Sequence, residues 1–198
     1  MASKSIAHGR ESALAGRSKS SVALLILDMV STWEFPDGQT LMRRAERITA
    51  NVAALRNRCT TAGVPVIFAN DNFGHWRSDF RLVVATSLER GGAAAAITRL
   101  LAPDENDFCV LKPKHSAFLA TPLELLLRHL GVRRVVVTGV SSDQCVLNTV
   151  ADAHMRELEV EVASDCIASL SQARHRRALR HFEEVLKVPV KPGRSIRL

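Results

Sequence analysis

Short unbroken apolar runs, each followed by a helix-length segment, set the tightest limit on what this chain can become. The sharpest is Val22-Ala23-Leu24-Leu25-Ile26-Leu27, which ends at Asp28. A run with no polar residue on either alternate face does not suit a half-solvated sheet; it fits a central parallel strand covered on both sides. Runs at 64–69, 108–111, 134–139, 160–163 and 188–190 predict further strands, the second with Pro65 near its start, where proline is tolerated. Segments at 41–62, 79–101, 121–131, 145–158 and 171–186 read as helices. Thr121-Pro122-Leu123-Glu124 predicts a helix start, with Thr121 as N-cap, Pro122 at the first position and Glu124 at the third. This alternation predicts one α/β domain with a doubly wound parallel sheet.

Composition narrows the class. A chain of 198 residues, 46% of them hydrophobic, suits a single domain with a sizeable core. Residues 1–20 are rich in Ser, Ala, Gly and charge and predict a mobile tail, with the domain over 21–198. No apolar run approaches the roughly 18–20 residues of a membrane span, and the first residues lack a signal-peptide pattern, so the expectation is a cytoplasmic protein without a membrane partner. The net charge of +7 is spread along the chain. Its densest patch, Arg174 to His181, reads as a solvated helix face; without a nucleic-acid reading module, no nucleic-acid partner is expected. The four cysteines form no C-x-x-C pair, which argues against a zinc ribbon or a thioredoxin-type site; the chain's size and expected compartment argue against a disulfide framework.

Asp28 and Lys112 fall at the ends of apolar strands, and Cys145 follows a third strand by one turn. All three would project from the carboxyl edge of the sheet, where open α/β folds bind ligands. Cys145 opens a helix, whose first N–H groups lack partners. Those groups favour an anion, which predicts a lowered thiol pKa and a donor set for an oxyanion. Asp28 suits acceptance of the thiol proton and its delivery to a leaving amine. Lys112 suits holding both in charge balance. Singly, Asp28 reads equally well as a cap, Lys112 as an exposed cation and Cys145 as core filler; it is their combination that points to chemistry. Cys59, Cys109 and Cys166 read as core or incidental residues. Trp33, Phe73, His75, Trp76 and Phe118 are candidates to line a substrate pocket.

Two segments then resemble a known family. Lys112-Pro113-Lys114-His115-Ser116-Ala117-Phe118 with Thr121 and Leu123, and Gly139-Val140-Ser141-Ser142-Asp143-Gln144-Cys145-Val146 with Thr149, Asp152 and Ala153, resemble the signatures of isochorismatase-like cysteine hydrolases. Leu25-Ile26-Leu27-Asp28 is similar to that family's opening strand. The resemblance spans roughly residues 20–170. It implies a three-layer α/β/α domain with a six-stranded, mostly parallel sheet, and a triad of Asp28, Lys112 and Cys145. It also implies a cis peptide between Val140 and Ser141, and an oxyanion hole from the N–H groups of Ser141 and Cys145. A small-molecule substrate and a homo-oligomer, dimer or tetramer, are further implications. Asp71 and His75 lack the D-x-H spacing of the family's metal-binding branch, so neither a metal nor a cofactor is expected. A cysteine at position 145 suits hydrolysis of a small amide or carbamoyl compound. The alternatives are isochorismate-type ether hydrolysis with Asp28 as acid, and a non-catalytic binding protein on the same fold.

Overall fold

A computed structural model describes residues 20–74 and 76–198. His75 and all but the last residue of the expected tail lie outside the described residues. Six strands form one sheet in the order β3-β2-β1-β4-β5-β6, every neighbouring pair parallel. They are β1 (Val22–Leu27), β2 (Val66–Asp71), β3 (Phe108–Lys112), β4 (Arg134–Val140), β5 (Glu159–Ala168) and β6 (Val190–Lys191). The helices are α1 (Gly38–Thr61), α2 (Phe80–Arg90), α3 (Gly92–Leu101), α4 (Leu123–Leu130), α5 (Cys145–Met155) and α6 (Gln172–Arg180).

The unbroken run of β1 is explained by its two neighbours and its two faces. Leu24 and Ile26 point into a core shared with Leu41, Ala45, Val52 and Leu55 of α1 and Ile97 and Leu101 of α3. Ala23, Leu25 and Leu27 point the other way, into a core shared with Leu123 and Leu127 of α4 and Val146, Val150 and Ala153 of α5. The helical residues recur at three- and four-residue spacing, which lays one apolar stripe of each helix on the sheet. Leu24, Leu25, Ile26 and Leu27 are all fully buried, and each contributes about 1.5–3 kcal/mol of transfer free energy.

Several boundaries differ from the sequence expectation. The six-stranded parallel sheet itself is as expected. β5 does not stop before Ser164-Asp165 but continues to Ala168, because its pairing with β4 breaks after Val137 and resumes at Gly139 opposite Ile167. Pro122, not Thr121, is the N-cap of α4. Thr121 lies one residue outside, yet its hydroxyl still accepts from the Leu123 N–H at 3.2 Å while donating to the Ala117 carbonyl at 2.5 Å. α6 gives way to a π-helical turn at His181–Val185 instead of running as one regular helix.

β1 and β4 approach closely at Leu27 opposite Gly139. Gly139 has φ +104°, and a Cβ there would sit 2.0 Å from the Leu27 carbonyl oxygen. No side chain fits between these two backbones, so glycine is the residue that lets the two strands close just before Asp28 and Ser141.

Candidate active site

β1 and β4 lie side by side, but the chain leaves them towards opposite faces: α1 packs on one side of the sheet and α5 on the other. This is the switch point of a doubly wound sheet, where a crevice opens at the carboxyl ends. Asp28 follows β1 directly with φ 53°, a left-handed conformation uncommon for a non-glycine residue. Lys112 closes β3 and lies in register with Asp71 of β2. Its long side chain reaches across the end of β2 towards Asp28 and Cys145.

The ammonium is enclosed. Lys112 is 0% exposed. Its Nζ lies 3.0 Å from Asp28 Oδ2, 3.6 Å from Asp71 Oδ2, 3.2 Å from the Lys114 carbonyl oxygen and 3.5 Å from Cys145 Sγ. Burial disfavours the charged amine, but Asp28, Cys145 and Asp71 outweigh it and hold its pKa above the ordinary lysine value. Asp28 Oδ1 accepts the Asp71 N–H at 2.6 Å. Asp28 Oδ2 is buried and accepts no aligned hydrogen bond among the described residues, although Nζ is at ion-pair distance. That contact is ionic rather than directional, and it leaves a lone pair able to take a proton. Replacing Lys112 by Met should cost about 3–5 kcal/mol, because two carboxylates lose their buried counter-charge. Urea unfolding checks this; a change below about 1 kcal/mol would show that water replaces the ammonium without penalty.

The thiol departs from expectation. Burial pushes the Cys145 pKa up, the Asp28 carboxylate pushes it further, and Lys112 only partly offsets them, so it lies above the ordinary thiol value instead of below it. The helix start that suggested a stabilised thiolate is real, since α5 begins at Cys145 with no side chain capping its N-terminus. Desolvation and the Asp28 charge are the largest influences on the thiol, and both raise its pKa. The resting sulfur therefore holds its proton beside a carboxylate.

Cys145, Asp28, Asp71, Ser31, Trp33, Phe35, Leu41, Phe73, His115, Val140, Ser141 and Gln144 line a cavity of about 220 Å³. The Val140–Ser141 peptide is cis. The N–H groups of Ser141 and Cys145 donate to no acceptor among the described residues. Phe35 and Phe73 stack with ring centroids 5.6 Å apart and border both this cavity and a larger hollow of about 850 Å³. The larger hollow touches none of Asp28, Lys112 and Cys145. Size alone would point to it; the reactive groups mark the smaller one.

Of the five pocket candidates, Trp33 and Phe73 line the small cavity and Trp76 lines only the outer hollow. Phe118 lines neither of these two hollows: it is buried in the core beside α4 and α5, with the Arg156 guanidinium 4.8 Å over its ring. Its neighbour Ala117 is tied down by the Thr149 hydroxyl, which accepts the Ala117 N–H and draws this segment inward. His75 lies outside the described residues. Among the described residues, no group of three or more His, Cys, Asp or Glu side chains is arranged to hold a metal ion. Sequence reasoning missed His115, whose Nδ1 is 3.6 Å from Cys145 Sγ, and the role of Asp71 as second counter-ion to Lys112. It also missed Asp143, which gathers Ser141, Ser169 and Arg174 behind the turn that leads into Cys145. The only signal for Asp143 was its place between the strand end and Cys145.

The family described as Isochorismatase domain matches residues 22–190. A Bacillus subtilis (strain 168) protein named as an uncharacterized isochorismatase family protein, YaaI, is 37% identical over 169 residues, covering 85% of this chain and 92% of that protein. A solved pyrazinamidase/nicotinamidase from Streptococcus mutans UA159 has a TM-score of 0.68 and 30% identity, covering 86% of this chain and 99% of the other. N-carbamoylsarcosine amidase from Thermoplasma acidophilum shares the fold at a TM-score of 0.67 and 23% identity, over 90% of this chain and 100% of the other.

Proposed function

We propose that this chain, which belongs to the isochorismatase family and is a hydrolase, cleaves a C–N bond of a small amide or carbamoyl compound with Cys145 as nucleophile. The observation that carries this reading is the Lys112 ammonium set between the Asp28 carboxylate and the Cys145 sulfur at the crevice. A thiol whose pKa is raised needs a base at the moment of attack, and Asp28 Oδ2 has a lone pair free for that proton. As Sγ bonds to the substrate carbonyl carbon, its proton passes to Asp28. The carbonyl oxygen becomes an oxyanion facing the N–H groups of Ser141 and Cys145. Collapse breaks the C–N bond, and Asp28 returns the proton to the departing nitrogen. Water then attacks the thioester, loses a proton to Asp28 and releases the acid, after which the proton returns to sulfur. Lys112 balances one negative charge throughout, whether it sits on Asp28 or on the oxyanion.

The similarity to the pyrazinamidase/nicotinamidase supports an amide as the substrate class. A cavity of about 220 Å³ supports a small acyl group, since it is below the usual range of drug-sized pockets. The test is turnover of a panel of small amides, carbamoyl compounds and isochorismate by the wild type and Cys145→Ala. The expected result is loss of at least about 10⁴-fold in amide turnover for the variant, with an acyl adduct on Cys145 of the wild type detected by intact-mass spectrometry. Isochorismate cleavage at the wild-type rate by Cys145→Ala would replace this reading with ether hydrolysis by Asp28.

A further inference from the structure

We infer that Asp143 and Arg174 are positioning residues that hold the Ser141 N–H in place as an oxyanion donor. This rests on the proposed thioester chemistry and extends it to residues outside the cavity lining.

Ser141 is anchored at two points. Its carbonyl accepts the N–H groups of Gln144 at 3.0 Å and Val146 at 3.1 Å. Its hydroxyl donates to Asp143 Oδ1 at 2.6 Å. The same carboxylate accepts the Ser169 hydroxyl from the end of β5 and the Arg174 Nε–H from α6. Burial alone would raise the proton affinity of Asp143, but the bonds from Ser141, Ser169 and Arg174 outweigh it and hold the carboxyl below the usual aspartate range. The turn is tied to the same two elements a second time: the Ser142 N–H donates to the Ala168 carbonyl at 2.7 Å, and its hydroxyl lies 3.3 Å from His175 Nδ1. The basic patch on α6 is therefore not all solvated surface. Arg174 points inward and joins the last helix to the turn that carries the nucleophile.

The geometry separates two kinds of reaction at Cys145. Attack on a carbonyl builds negative charge on an oxygen that the Ser141 N–H would meet. Alkylation by iodoacetamide displaces iodide from a saturated carbon and builds no oxyanion. Loosening Ser141 should slow the first and spare the second. The test measures both in the full chain. Acylation is followed with p-nitrophenyl acetate, where Sγ takes the acetyl group and p-nitrophenolate leaves. Alkylation is followed by peptide mapping of Cys145. Arg174→Ala, Asp143→Asn and Ser141→Ala are expected to slow acylation about 10–100-fold, with alkylation within about twofold of wild type, and Arg174→Lys to recover part of the loss. Ser141→Ala keeps the backbone N–H and removes one hydroxyl, so it remains informative if the other variants fail to fold. Wild-type acylation in Ser141→Ala, or equal losses in acylation and alkylation, would overturn the inference. Cys145→Ala distinguishes the two proposals. If it releases p-nitrophenolate as fast as wild type, the thioester reading fails and this inference falls with it; if it is silent while Ser141→Ala is unimpaired, only this inference fails.

Discussion

Asp28→Asn is expected to lose turnover by about 10²–10⁴-fold, the usual contribution of a general acid–base group, while its Cys145 thiol becomes more reactive. The two effects come from one change. In the resting site the Asp28 carboxylate raises the proton affinity of the sulfur, and Lys112 lowers it. Asparagine keeps the shape and can still accept the Asp71 N–H that now reaches Asp28 Oδ1. It removes the negative charge and leaves the ammonium, so the thiolate is stabilised by about one pKa unit or more. At neutral pH that is about tenfold more thiolate. The measurement is the rate of iodoacetamide modification at Cys145 against pH, with exposed Cys109 as an internal reference. In the wild type the rate should keep climbing beyond the ordinary thiol range of about 8.5; in the variant the curve should move to lower pH. An unchanged curve would mean that Asp28 does not set the proton affinity of the thiol.

Gly139→Ala should be the most damaging single-methyl change near the site. The added carbon would lie 2.0 Å from the Leu27 carbonyl oxygen and 2.7 Å from its nitrogen, both backbone atoms held by the sheet. Neither can swing aside as a flexible side chain would. The positive φ adds its own strain. We expect a loss of about 3–5 kcal/mol in urea unfolding. Folded protein should also lose activity, because the ends of β1 and β4 carry Asp28 and Ser141. Gly63→Ala is the control: its φ is +70°, but nothing lies within 4 Å of the added carbon. It should cost only the strain, about 1–2 kcal/mol. Equal losses for the two variants would show that the close approach of the strands is not what glycine is needed for.

The legible part of this fold was the part written in periodicity. Val22–Leu27 carries no polar residue, so a strand covered on both faces was the natural reading, and the layered sheet follows from repeating it. Where Lys112, Asp28 and Cys145 would meet could be anticipated too, because parallel strands deliver their ends to one edge. What periodicity does not encode is reach and desolvation. Asp71 meets Lys112 through strand register and the reach of the lysine side chain, and His115 comes to Cys145 from the loop after β3. The upward shift of the Cys145 thiol depends on how much water the surrounding residues exclude, which the position of a helix start does not reveal. Phe118 packs in the core, where the Ala117–Thr149 bond holds its segment, and a motif position alone does not reveal that. Arg174 was hidden inside a basic run, and only the fold distinguishes the one arginine that faces Asp143 from its solvated neighbours.

The strand order also constrains how the chain must be made. β1 lies inside the sheet, yet it precedes the other five described strands in the sequence, and one of its edges waits for β4. At typical elongation rates of about 5–20 residues per second, that edge stays open for on the order of ten seconds. During that time a strand made wholly of apolar residues presents unsatisfied N–H and C=O groups along one side. The nascent chain is thus most prone to self-association midway through synthesis, and a folding helper that shields short extended apolar segments would find its clearest target at Val22–Leu27.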